Sequence, residues 1–213
     1  MLGGRERRER ISASGILVVT AVPDTGSRLR VEAWFDSLAV RRDSPEGSRE
    51  PDTDGMIGGR YRGHLSARGI YAPQVRPFIP DAVAEVTDPS AVMDDLLPAL
   101  APAPLRVGER WADQGVEIRR LRDSIAGDTL LRFEVRRFRR VDAIPAGDTA
   151  RIPATQDTRE EERFLWHPRL GVVRRDRTIV IETRIAPGRS VPTAVRSRVS
   201  QQVRVTRIEA PES

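Results

Sequence analysis

The chain contains no cysteine and no lysine. The first absence excludes disulfides, thiolate nucleophiles and cysteine-ligated zinc. The second excludes Schiff-base chemistry, a phosphate-loop lysine and a lysine general base. All 36 basic residues are therefore arginine, against 31 acidic ones, for a net charge of +5. No function demands the loss of every lysine; a GC-rich genome, favouring Arg, Ala, Val, Gly and Pro codons, accounts for it. Aromatics make up only 5%, so any core is aliphatic. No apolar run approaches the roughly 18–20 residues that cross a bilayer as a helix.

Histidine is almost absent as well: His64 and His167 are the only two. A metal site needs clustered ligands, and a histidine triad needs a neighbouring nucleophile and acid. One histidine falls in a strand beside a turn and the other in a turn before Pro168, so both read as ordinary polar residues. No Gly-x-Ser-x-Gly elbow, His-Glu-x-x-His or dinucleotide glycine motif is present. Asp94 and Asp95 are adjacent on a helix and diverge by about 100°, which rules out a carboxylate pair across one cleft. The expectation is a protein without catalysis, cofactor or metal.

At 213 residues, with 38% hydrophobic and 31% charged residues, the chain fits one domain. We expect a tail over 1–13, a single β-rich domain over 14–209, and a tail over 210–213. The Gly- and Arg-rich start is followed by no apolar stretch long enough for a leader.

Ser14 to Val22 and Arg28 to Val40 read as a hairpin around Pro23–Ser27. Leu29, Val31, Ala33 and Phe35 share one side, Leu38 and Val40 the other, which predicts a bulge near Asp36 and Ser37. Residues 43–55 are acidic and aperiodic, a mobile loop. Within it Glu50, Asp52, Asp54 and Gly55 resemble the start of a calcium loop, but Tyr61 stands where a bidentate Glu is needed. Strands follow over 57–65 and 70–75. Over 88–100 a helix is predicted, with Asp88 as N-cap, Pro89 at the first position and a stripe of Val92, Met93, Leu96, Leu97 and Leu100.

The C-terminal half is almost all strand: 116–121, 130–141, 160–166, 172–185 and a final segment. In that segment Val191, Thr193, Val195, Ser197, Val199, Gln201, Val203 and Val205 share one side, and Arg196, Arg198 and Arg204 the other. About fifteen alternating residues span roughly 50 Å, a length that belongs to a strongly twisted sheet or open barrel. Val mixed with Thr, Ser and Gln leaves two readings: one end of the strand protrudes into solvent, or the strand lines a partly wet groove. The run Glu160–Glu162 reads as a solvated edge. The arginine stripes Arg132, Arg136, Arg137, Arg139, Arg140 and Arg174, Arg175, Arg177 have few aromatics beside them to stack bases, so cross-strand Arg–Asp and Arg–Glu pairs are expected rather than a nucleic-acid partner. The fold class is mainly β (α+β): a strongly twisted antiparallel sheet forming a half or open barrel, with one short helix packed across the concave face.

The segment Leu96-Leu97-Pro98 followed by Leu105-Arg106-Val107-Gly108-Glu109-Arg110-Trp111 resembles uncharacterised bacterial envelope proteins with the half-barrel layout of the lipoprotein-carrier superfamily (LolA/LppX-like). That resemblance implies a lipid-like ligand between sheet and helix, and a periplasmic or otherwise extracytoplasmic location. Combined with the long mixed strand, it leads us to expect a binding module for a hydrophobic small ligand or lipid. The wall would be Ile179, Ile181, Val195, Val199 and Val203, and the lid Leu96, Leu97 and Trp111. The alternative is a structural or protein-interaction β domain with a filled core. A void of several hundred Å³ would separate the two.

Overall fold

The computed structural model describes residues 8–26, 28–66, 69–126, 128–146, 150–168, 170–187 and 194–208. The protein is mainly β, with two antiparallel sheets, few helices and no closed barrel. It divides into two compact units, Met1–Ala99 and Leu100–Ser213. The division falls in the Pro/Ala stretch that follows the helical region.

The first unit holds β1 (Arg10–Pro23), β2 (Leu29–Ser44), β3 (Gly47–Arg49), β4 (Arg60–Leu65) and β5 (Tyr71–Val75). Their order is β1-β2-β4-β5, with β3 paired to the end of β2. The bulge expected from the phase change is present. Ile16 faces Ser37 while Leu17 faces Phe35, which leaves Asp36 as the extra residue. The Ser37 hydroxyl accepts a hydrogen bond from the Ile16 amide at 3.1 Å. The extra residue resets the alternation, so Val31, Ala33 and Phe35 are buried and so is Val40.

The 43–55 segment, expected to be aperiodic, carries β3 and a 3-10 turn over Asp54–Met56. The Asp52 carboxylate accepts the Asp54 amide at 2.9 Å and so braces the turn. The turn delivers Met56, fully buried, to the core. Further on, α1 (Asp81–Ala84) is too short to leave a periodic signature in the sequence. The Asp88 cap behaves as expected, its carboxylate accepting the Ser90 amide at 3.0 Å. The helix itself is shorter than 88–100: Pro89–Ala91 forms a 3-10 turn and α2 spans only Val92–Leu96, before Pro98. The core gathers Val31, Ala33, Phe35, Met56, Tyr61, Val83 and Met93. Phe35 and Tyr61 meet edge to face at 6.2 Å, and the Tyr61 hydroxyl donates to the Pro89 carbonyl at 3.0 Å.

The second unit holds β6 (Arg110–Asp113), β7 (Val116–Arg120), β8 (Ser124–Ala126), β9 (Asp128–Ala146), β10 (Ala150–His167), β11 (Gly171–Ile185) and β12 (Val195–Thr206). The sheet runs β12-β11-β10-β9-β7-β6, with β8 paired to the start of β9. Gln114 and Gly115, at φ 46° and 80°, make the two-residue turn between β6 and β7. Two positive φ values match the right-handed twist of the flanking strands. The core here is Ile118, Val135 and Phe164, against which Leu100, Leu105, Trp111, Phe133 and Trp166 pack. Phe133 and Phe164 stack at 4.8 Å. The closing strand begins at Val195; Val191 and Thr193 lie outside the described residues.

Candidate functional site

Strand register sorts the second sheet's side chains onto two faces. Val135 faces Glu162, Glu162 faces Arg177 and Arg177 faces Val203. One row further, Arg137 faces Glu160, Glu160 faces Ile179 and Ile179 faces Gln201. Beyond these lie Thr158, Ile181 and Val199, then Gln156, Thr183 and Ser197. This face also carries the core residues Ile118, Phe133 and Phe164. It is apolar at the Ile118 end and mixed apolar and uncharged polar at the other, with a band of ions across the middle.

The band is fully partnered. Arg175 donates Nε to Glu162 Oε1 and Nη2 to Glu162 Oε2, both at 2.9 Å, with side chains 1% and 0% exposed. Glu160 receives Arg177 Nε at 2.8 Å and Arg137 Nη1 at 3.2 Å. Gln156 Nε2 reaches Thr183 Oγ1 at 3.1 Å. The expectation that Glu160–Glu162 form a solvated edge is thereby corrected. A strand's period of two puts Glu160 and Glu162 on the core face of a central strand and Glu161 on the other; β11 supplies Arg175 and Arg177, and β9 supplies Arg137.

Past the band, β11 and β12 form an apolar strip. Ile181 faces Val199 and Ile185 faces Val195, in a register with no slip over twelve pairs. Ile179 and Ile181 are half-buried, whereas Val195 and Val199 stay 41% and 52% exposed. Five of the eight expected ligand residues thus share this face: Ile181, Val195 and Val199 on the strip, and Ile179 and Val203 in the rows of the ion band. The other three have different surroundings. Leu96 and Leu97 pack against the Phe35–Tyr61 core of the first unit, and Trp111 packs against the Ile118 core of the second. The helical stripe and the tryptophan were legible as buried, but not what buries them.

The opposite face is a charged lattice. Arg140 meets Asp157 at 2.6 Å, Arg163 meets Glu134 at 3.2 Å, and Asp176 lies 2.8 Å from both Arg174 and Arg204. Hydrogen bonds from Arg140 hold the Asp157 carboxyl below its ordinary value, and those from Arg174 and then Arg204 do the same for Asp176. All but Arg174–Asp176, which lies within β11, are the cross-strand pairs expected of the arginine stripes, although Arg137, Arg139, Arg175 and Arg177 lie on the apolar face instead.

Open surface grooves lie elsewhere among the described residues. One, of about 660 Å³, lies at the β6–β7 turn between Ala112–Glu117, Arg136–Phe138 and Arg159–Glu161. Another, of about 360 Å³, lies between Arg49–Pro51 and Ala82, Glu85 and Val86. Neither takes in any of the eight expected residues. His64 Nε2 lies 2.9 Å from Asp24 Oδ2, and His167 Nδ1 accepts the Leu170 amide at 3.1 Å. Among the described residues no three His, Asp or Glu side chains converge as metal ligands. No protein-family model matches the chain, and no curated protein or solved structure shows significant similarity to it.

Proposed function

We propose that the second unit is a non-catalytic binding module, which takes an apolar or amphiphilic, lipid-like chain along the open strip of β11 and β12 in the cell envelope. The observation that carries this reading is the facing of Ile181 with Val199 and of Ile185 with Val195 on either side of the Thr183–Ser197 pair, with both valines exposed. Two strands about 4.8 Å apart give a strip wide enough for one alkyl chain, and the ten residues from Val195 run about 33 Å. Covering about 200 Å² of it contributes about 5 kcal/mol before ordering costs. Ser197, Gln201 and Thr183 on the same face offer hydrogen bonds to a headgroup. The strip is narrower than the wall-and-lid pocket implied by the lipoprotein-carrier likeness, because Leu96, Leu97 and Trp111 belong to the cores.

The test is thermal unfolding of delipidated protein with palmitate, phosphatidylglycerol or a diacylated lipopeptide. A saturable rise in melting temperature that Val199→Asp abolishes supports the reading. Equal curves with and without every amphiphile refute it.

A further inference from the structure

The second sheet ends at β12, whose outer edge meets no strand among the described residues. Long edge strands recruit foreign strands unless a bulge, a proline or a cover blunts them. The first unit's long edge, β1, is blunted by the slip at Ile16 and Leu17. In contrast, β12 runs twelve residues without slip, proline or glycine, and Val195–Gln202 are exposed throughout.

Backbone alternation fixes what this edge presents. The Arg207 amide donates to the Val173 carbonyl at 2.8 Å. In an antiparallel ladder every second residue bonds its neighbour strand. The amides and carbonyls of Arg196, Arg198, Ser200, Gln202, Arg204 and Thr206 therefore point outward. The side chains of these residues stand on the charged face.

On that face each acid of β11 is already taken. Asp176 is held by Arg174 and Arg204. Glu182 is held by Arg159 at 3.9 Å and Arg184 at 3.6 Å. Arg196 faces Arg184 and Arg198 faces Glu182, yet among the described residues neither has a carboxylate within salt-bridge reach. The alternation of arginine and acid across β9, β10 and β11 reaches β12 at Arg204 but stops short of it at Arg196 and Arg198, two cations left over. A second copy of β12 does not complete it. Antiparallel pairing centred on Ser200 would set Arg196 opposite Arg204, cation against cation.

We infer that the outer edge of β12 receives an extended polypeptide segment with acidic residues at alternate positions. Its backbone bonds the outward groups from Arg196 to Thr206. Its carboxylates lie beside Arg196 and Arg198, and its apolar residues flank Val195, Val199 and Val203. This surface is the strand edge and the charged face, and it adjoins the strip proposed for an amphiphile along Val195 and Val199.

The experiment measures fluorescence anisotropy of a labelled peptide of about ten alternating valine and glutamate residues, a typical long strand, against the full chain. A valine–lysine peptide is the control. The glutamate peptide is expected to bind and the lysine peptide not. Ser200→Pro removes one outward amide while sparing the ladder to β11; it should keep the melting temperature and weaken binding about tenfold or more. Arg196→Glu with Arg198→Glu should reverse the preference between peptides. No binding of the glutamate peptide at millimolar concentration overturns the inference, as does equal binding of both peptides or of Ser200→Pro. Self-association abolished by Ser200→Pro would assign the edge to a second copy and overturn it too.

Discussion

Arg175 grips both carboxylate oxygens of Glu162, each at 2.9 Å, with neither side chain open to solvent. A buried pair of this kind adds little net stability over apolar residues, but losing one partner strands a charge. Glu162→Gln and Arg175→Met should each cost about 3–5 kcal/mol. A double-mutant cycle by urea denaturation should give a coupling energy of about 1 kcal/mol or more. Additive costs would show the two groups to be energetically independent.

The first unit's two tyrosines should answer differently to loss of the hydroxyl. Tyr61 is buried and donates to Pro89, whereas the buried Tyr71 hydroxyl has no hydrogen-bond partner among the described residues. Tyr61→Phe should destabilise by about 1–2 kcal/mol, since the Pro89 carbonyl is left unsatisfied, and Tyr71→Phe should be neutral or stabilising. Burial pushes Tyr61 up to about 12 from its ordinary 10.0. A raised phenol favours the folded state fully below pH 10 and loses that advantage as pH climbs towards 12. The Tyr61→Phe protein should therefore show a shallower alkaline loss of melting temperature.

On the charged lattice, Asp157 and Asp176 titrate below their ordinary 3.8 because arginines donate to them. A lowered folded value means their stabilisation is complete above the unfolded value, near pH 4, and is withdrawn as pH falls from there through the lower folded value. The double variant Asp157→Asn, Asp176→Asn should flatten the stability curve below pH 4 and leave its slope at neutral pH unchanged. Urea midpoints measured across pH 2.5 to 7 decide it, and an unaltered acid limb would contradict it.

Gly115 sits at φ 80°, and a Cβ there would lie 2.5 Å from the Phe138 carbonyl oxygen. That carbonyl belongs to a backbone already tied down, the Phe138 amide donating to Gly115 O at 2.9 Å. Gly115→Ala should cost about 2 kcal/mol or more, from left-handed strain plus the clash. A melting temperature within a degree of wild type would show that the turn relaxes.

Much of the fold could be read from alternation alone. Ile179 and Ile181 on one strand and Val195, Val199 and Val203 on the next share a side because a strand's period is two, and that side is common to both. The Asp36 bulge announced itself as a change of phase. Three things were not legible. A four-residue helix such as α1 is too short to show periodicity. The stripe of Val92, Met93 and Leu96 says that a face is buried but not against which sheet. The Glu160–Glu162 run looked solvated because burying carboxylates is costly. The usable clue was parity: Glu160 and Glu162 keep step with Phe164 and Trp166, and Arg175 and Arg177 keep step with Ile179 and Ile181.

In the second sheet, each strand from β9 to β12 lies beside the one that precedes it in the chain. Pairing of close sequence neighbours asks for little loop closure, so such a meander assembles quickly, one hairpin after another. During synthesis each ribbon can dock on a finished predecessor before the next leaves the ribosome. The last ribbon made is also the outermost, and any molecule that depends on its edge must wait for translation to reach residue 206.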